Sequence, residues 1–133
     1  MHAPKAWNEE ERVAALRRYA ILDTAPEEQF DEITRLLAHV CDTPIALINL
    51  VDRDRNWFVS EFGLGVREAS LDTSMCGHAI LESDLFIIPD AQLDCRFADN
   101  PLVANPPHVR FYAGALLKTA DGLPIGTLCV LDS

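Results

Sequence analysis

The sequence predicts an α+β domain built around an antiparallel sheet. Two amphipathic helical patterns come first, and the strand patterns after them are joined by turns and loops without regular helical crossovers. A chain of 133 residues with 49% hydrophobic side chains is long enough for one domain with a substantial core. We therefore expect residues 1–133 to form a single domain.

Both N-terminal helices are predicted from capping signals and apolar periodicity. Asn8 precedes Glu11 by three residues and Thr24 precedes Glu27 in the same way, a spacing typical of the capping box. Apolar side chains then recur at helical spacing. These patterns predict a first helix over residues 9–19 and a second over residues 26–41.

The strands are predicted from short apolar runs bounded by turn residues. Ile45–Val51 is apolar on both alternations except at Asn49, which indicates a strand covered on both faces. The other predicted strands are 56–62, 85–88, 109–117 and 125–131. The irregular segment 91–107 is predicted to be a functional loop, with one helical turn near residues 93–97.

Residues 72–81 combine a helix start, a thiol and an imidazole. Ser74 is a candidate helix cap, and Cys76 lies two residues before His78. On a helix that spacing places the two side chains about 200° apart, a poor geometry for shared metal ligation. They converge only if Gly77 lies in a loop. Cys76 is thus either a small buried apolar group or a reactive thiol, and His78 contacts either a ligand or the sheet.

Charge and composition exclude several classes of function. Asp and Glu outnumber Lys and Arg by 21 to 11, and the net charge of -10 disfavours binding to nucleic acid or to anionic lipid. The sequence contains neither a signal-peptide core nor an apolar run long enough to span a bilayer. The four cysteines form no C-x-x-C pair. We expect a cytoplasmic protein without membrane insertion.

Several short motifs occur in a characteristic order. They are DTAPEEQFD at residues 23–31, SMCGHAI at 74–80, FYAG at 111–114 and IGTLCV at 125–130. Together they resemble a GAF domain of the type found N-terminally in bacterial histidine kinases and cyclic di-GMP signalling proteins. The resemblance covers nearly the whole chain. It implies a six-stranded antiparallel sheet with helices on one face and a loop-covered pocket for a small molecule on the other.

The resemblance also implies a function. Such a domain binds a small molecule, or relays only dimer geometry, and passes a signal to a C-terminal output domain. The sequence differs from the family in ending at Ser133, without the usual C-terminal helix, and the cyclic-nucleotide signature of the family is absent. Cys76 lies outside the usual context of a bilin-attaching cysteine. Because the spacing of Cys76 and His78 is also poor for chelation, we expect no haem, bilin or structural metal.

The pocket is predicted between the sheet and the loops at residues 74–80 and 91–107. Its walls should include the polar or aromatic side chains that interrupt apolar elements. These candidate ligand-binding residues are Asn49, Cys76, His78, Phe97 and Tyr112. No set of acid, base and nucleophile is evident, so the sequence predicts a non-catalytic domain.

Two alternatives remain open at this stage. One is an enzyme that resembles free methionine sulfoxide reductases, with Cys76 as thiolate and Cys95 as its resolving partner. The other is a purely structural dimerisation module. We also expect a homodimer through the two N-terminal helices, because Val13, Leu16 and Tyr19 supply apolar surface on the first and the second has more apolar positions than one stripe requires.

Overall fold

The structure is a computed structural model and describes residues 8–70, 75–81 and 84–133. Six strands form one sheet in the order β3-β2-β1-β6-β5-β4, and every neighbouring pair is antiparallel. The strands are β1 (Ile45–Val51), β2 (Arg55–Phe62), β3 (Glu68–Ser70), β4 (Leu85–Ile88), β5 (Phe111–Lys118) and β6 (Pro124–Asp132). This architecture confirms the predicted α+β class and the six-stranded sheet.

The described helices comprise two long ones and two short ones. They are α1 (Glu9–Arg18), α2 (Glu28–Cys41), α3 (Cys76–Ala79) and α4 (Pro101–Ala104), and a 3₁₀ helix spans Ala91–Leu93. Within the described ranges, no helix is both long enough and apolar enough to cross a membrane.

The predicted capping boxes are wrong. Asn8 precedes α1, but its side chain makes no capping hydrogen bond. The residue that precedes α2 is Glu27, not Thr24, and its side chain makes no capping hydrogen bond either. The Thr24 hydroxyl donates back to the Ile21 carbonyl at 2.9 Å. The first turn of α1 is instead favoured by its three glutamates, whose charges oppose the helix dipole. Ser74, the third candidate cap, lies outside the described residues.

The loop at residues 91–107 contains more regular structure than predicted, and at different positions. Its side-chain caps explain the difference. The Asp90 carboxylate accepts a hydrogen bond from the Gln92 amide at the start of the 3₁₀ helix, and the Asn100 side chain accepts one from the Leu102 amide at the start of α4. Strand β3 also was not predicted, because its three residues have mixed polarity.

The helices α1 and α2 cover one face of the sheet. Leu16 of α1 packs with Leu50 and Trp57, and Ala38 of α2 packs with Ala46 and Val130. The other face carries the largest apolar cluster, which includes residues from β1, β2, β5 and β6, from α3, and from the segment between β4 and β5. Both faces of β1 are therefore buried, as its continuous apolar pattern predicts.

A β-bulge in the β1–β2 hairpin sets which side chains of β2 face the candidate site. Ile48 pairs with Ser60 while Asn49 pairs with Phe58, so Val59 is the extra residue on β2. Ser60 consequently reaches α2, where its hydroxyl lies 2.9 Å from that of Thr34. Beyond the bulge, Asn49 lies on the face opposite the two long helices.

Candidate functional site

A cavity of about 90 Å³ lies between the sheet and the segments that cover its second face. Strands β1, β2, β3, β5 and β6 contribute to its wall, together with the β2–β3 connection, the start of α3 and the region around α4. Most of the wall is apolar. Its larger apolar side chains include Leu47, Phe58, Leu64, Met75, Leu102 and Val109. The cavity lies between the sheet and the two loops where the sequence predicts it.

Two asparagines form one polar part of the wall. The Asn49 side-chain amide donates to the Asn56 side-chain oxygen at 3.0 Å, and the Asn56 amide donates to the Ser70 carbonyl at 3.4 Å. Asn49 is fully buried, and its Oδ1 atom accepts no hydrogen bond from the residues that the structure describes. A buried acceptor without a partner is costly, so this atom is the point where a donor on a bound molecule would be stabilised most.

Cys76, Tyr112, Thr127 and Cys129 form the second polar cluster. The Thr127 hydroxyl donates to Cys76 Sγ at 3.1 Å, and the Tyr112 hydroxyl lies 3.1 Å from the same sulfur. The two sulfurs of Cys76 and Cys129 are 3.9 Å apart. All four side chains are buried, so their polar atoms satisfy one another instead of water.

This cluster favours ionisation of Cys76. The hydrogen bond from Cys129, followed by those from Thr127 and Tyr112, lowers the pKa of the Cys76 thiol from 9.0 to about 7, against the opposing effect of burial. The hydrogen bond to Cys76 and burial raise the pKa of Cys129. Burial, followed by the negative charge of Cys76, raises the pKa of Tyr112. Cys76 is therefore the first of the three groups to lose its proton.

Three of the five predicted site residues line the cavity, namely Asn49, Cys76 and Tyr112. His78 and Phe97 are buried beside it and contact each other, with ring centroids 4.8 Å apart in an edge-to-face arrangement. Neither is among the described residues that line the cavity. Helix α3 explains the separation, because residues two positions apart point in nearly opposite directions on a helix.

Sequence reasoning missed three polar residues of the two clusters. Asn56 lies two residues before Phe58 on β2, and Thr127 lies two residues before Cys129 on β6, so each pair shares a face of the sheet. The alternation within these strands was the available signal. It could not indicate which strands are neighbours. The pairing of β1 with β2 brings Asn56 to Asn49, and the pairing of β1 with β6 places Thr127 beside Asn49 and near Cys76.

The proposed resolving cysteine is also in the wrong place. Cys95 is exposed, whereas Cys76 and its sulfur neighbour Cys129 are buried. The sequence places Cys129 in an apolar strand pattern, which indicates only a core position. In the structure it is the thiol nearest to Cys76 among the described contacts.

Comparison with curated proteins finds one relative that matches this chain over part of its own length. A cyclic di-GMP phosphodiesterase of Pseudomonas aeruginosa is 43% identical to this chain over 129 residues. The match covers 97% of this chain, and the chain spans 22% of the length of that relative.

Solved structures share the fold at low sequence identity. A free methionine-R-sulfoxide reductase of Thermoplasma acidophilum superimposes with a TM-score of 0.62 at 14% identity, over 88% of this chain and 77% of the other. The GAF domain of an Acinetobacter phosphoenolpyruvate-protein phosphotransferase gives a TM-score of 0.59 at 17% identity, over 92% and 77%. Residues 25–133 match the sequence model of the GAF domain. The chain therefore belongs to the GAF domain family.

Proposed function

We propose that this GAF domain is a non-catalytic sensory module of a bacterial signalling protein, acting in the cytoplasm. It binds a small molecule and passes a conformational signal to an output domain. The observation that carries the proposal is the apolar cavity with convergent polar side chains on the face of the sheet opposite α1 and α2. The relative named as a cyclic di-GMP phosphodiesterase supports a signalling context.

The packing supplies a physical route for the signal. Asn49 and Leu50 are consecutive residues of β1 and point to opposite faces of the sheet. Asn49 lines the cavity, whereas Leu50 packs with Leu16 of α1. A ligand that displaces β1 at Asn49 therefore also changes the contact between the sheet and the N-terminal helix.

Native mass spectrometry of freshly purified protein tests the binding. We expect a retained small molecule in the wild type, and its loss in Ala69→Leu, which adds bulk to the cavity wall. Ala104→Leu is the matched control, because Ala104 is exposed on α4. If Ala69→Leu retains the same molecule, the molecule binds outside the cavity. If no molecule is retained and no metabolite in a panel raises the melting temperature, the sensory proposal is wrong.

We also propose a homodimer, formed chiefly through α2. Ile33, Leu36 and Val40 lie three and four residues apart on this helix and are 44%, 63% and 72% exposed, which makes one apolar stripe. The expected contribution of α1 needs correction. Val13 and Leu16 are buried and cannot contribute to an interface. Of the three apolar residues expected there, Tyr19 is exposed, and it lies just beyond the end of α1.

Sedimentation tests the dimer. Leu36→Glu should shift the protein to monomer because it buries a charge in the interface. Leu93→Glu makes the same substitution at an exposed leucine outside α2 and should leave association unchanged. A wild type that stays monomeric at high micromolar concentration would contradict the proposal.

The competing function is reduction of free methionine sulfoxide, which the buried Cys76–Cys129 pair favours. In that reaction two thiols become a disulfide, while the sulfoxide becomes a thioether and water leaves. The similarity to a reductase at 14% identity shows the fold alone. We expect no loss of methionine sulfoxide in a coupled assay with a thiol reductant. Multiple turnovers that disappear in Cys76→Ser would establish the reductase instead.

A further inference from the structure

We infer that the cavity takes a compact neutral molecule with an apolar body and one O–H or N–H donor directed at Asn49 Oδ1. Short-chain alcohols and similarly small primary amides belong to this class. The inference rests on the proposed function, because it names the chemistry of the ligand that the sensory site would bind.

The charge of the wall argues against anionic ligands. Among the described residues that line the cavity there is no lysine, arginine or histidine. A phosphate or carboxylate would lose its hydration there without gaining a cationic partner. Ionisation of Cys76, whose pKa is lowered, adds negative charge to the same wall and would repel an anion further. A neutral ligand avoids both penalties.

The hydrogen-bonding groups of the wall indicate which polar group the ligand carries. The Tyr112 hydroxyl of the wall lies 3.1 Å from Cys76 Sγ, and the Thr127 hydroxyl, which is not among the groups of the wall, donates to the same sulfur. The Asn49 amide nitrogen is engaged with Asn56, which fixes the orientation of the Asn49 side chain. Asn49 Oδ1 is left as a buried acceptor without a partner among the described residues. Only a donor satisfies it, and an ether or other pure acceptor does not.

The volume limits the size of the ligand. The cavity measures about 90 Å³, which is smaller than the roughly 150 Å³ of an engineered protein cavity that binds benzene. This volume therefore accommodates a body of only a few heavy atoms. The apolar majority of the wall, with Leu47, Phe58 and Leu102, favours a hydrocarbon body over a second polar group.

Three small probes of matched size test the inference. They are 1-butanol, its isomer diethyl ether, which lacks the donor, and butyrate, which carries a charge. Binding is measured for each by titration while the amide NMR signals of the cavity wall are followed. We expect 1-butanol to bind about 2- to 10-fold more tightly than diethyl ether, the ratio that corresponds to one net hydrogen bond. Butyrate should cause no saturable change at the cavity.

Two variants test whether the preference for 1-butanol over diethyl ether comes from Asn49 Oδ1. Asn49→Leu should reduce the ratio between 1-butanol and diethyl ether to about one, because the acceptor is removed. Asn105→Leu, the same substitution at an exposed asparagine, should leave the ratio unchanged. The comparison of probes within the wild type stands even if Asn49→Leu does not fold.

Each remaining outcome has a distinct meaning. Equal binding of the alcohol and the ether, or saturable binding of butyrate, would overturn the ligand class and leave the sensory function in place. Failure of all three probes in a protein that retains another small molecule at the cavity would do the same. Failure of all three with no retained molecule would overturn the ligand class, and it would overturn the sensory function as well if no metabolite in the panel raises the melting temperature.

Discussion

The two faces of the sheet are built from the same strands but are packed in different ways. On one face, helices of 10 and 14 residues lie against the strands, and Leu16 is fully buried among Leu50 and Trp57. On the other face, the cover includes two four-residue helices and a three-residue 3₁₀ helix. The cavity lies under this second cover. Long helices present a continuous row of side chains to a sheet, whereas short segments leave gaps between them.

The electrostatics of the two faces differ as well. The helical side is attached to the β1–β2 turn by charged groups. Arg12 is buried and donates to the Val51 carbonyl as well as to Glu9, while Arg17 pairs with Asp52 at 3.3 Å. The wall of the cavity contains amide, hydroxyl and thiol groups and, among the described residues that line it, no basic and no carboxylate side chain. Charged contacts therefore hold α1 against the sheet on one side, and the proposed binding site lies on the other.

The largest expected effect is on the helical face. Leu16→Ala should lower the free energy of unfolding by about 2–5 kcal/mol, toward the upper end, because a well-packed leucine leaves a new void. Leu47→Ala shortens another buried leucine, one that borders the existing cavity. Because the Leu47 side chain already lacks partner atoms on the cavity side, its truncation should lower the free energy of unfolding by less. Urea unfolding measures both, and equal costs would contradict the proposed difference in packing.

The buried arginine should give the next largest effect. Arg12→Met leaves the Val51 carbonyl without its donor and should cost about 1–3 kcal/mol in urea unfolding. Arg18→Met is the control, because Arg18 is exposed on the same helix. A similar loss in both variants would show that the effect comes from the helix itself and not from the contact between α1 and β1.

The smallest expected effect on stability is in the polar cluster beside the cavity. Thr127→Val keeps the shape of the side chain and removes the hydroxyl that donates to Cys76, at a cost of about 1 kcal/mol. It should also raise the pKa of Cys76. In a background with Cys41 and Cys95 replaced by serine, the pH at which Cys76 alkylation becomes half-maximal should lie near 7 and move upward in the variant.

The same shift has a defined sign for stability. A thiol with a folded pKa of about 7 and an ordinary value of 9.0 holds fewer protons in the folded state between these two pH values. The contribution of Cys76 to the free energy of unfolding should therefore increase as pH rises from 7 to 9, and Thr127→Val should weaken that increase. An unchanged alkylation profile in the variant would show that Thr127 does not control the thiol.

The sequence by itself determined most of the regular elements. Strands β1 and β4 have the predicted bounds, because a continuous or short apolar run between turn residues specifies a strand locally. The two long helices follow from their apolar periodicity, although the capping signals used to place them were misleading. Asn49 and Tyr112 could be selected as candidates because polar atoms in apolar strands need a special environment.

Only the tertiary structure decided which side chains meet. Cys76 and Cys129 are 53 positions apart, and their contact exists because α3 lies over β6 beside β1. The bulge at Val59 sets the register that brings Asn56 to Asn49, and the turn of α3 sends His78 toward Phe97 and away from the cavity wall. Strand β3 exists through its pairing with β2. Local sequence signals report the preference of a segment for helix or strand, whereas the composition of a site depends on contacts between segments distant in the chain.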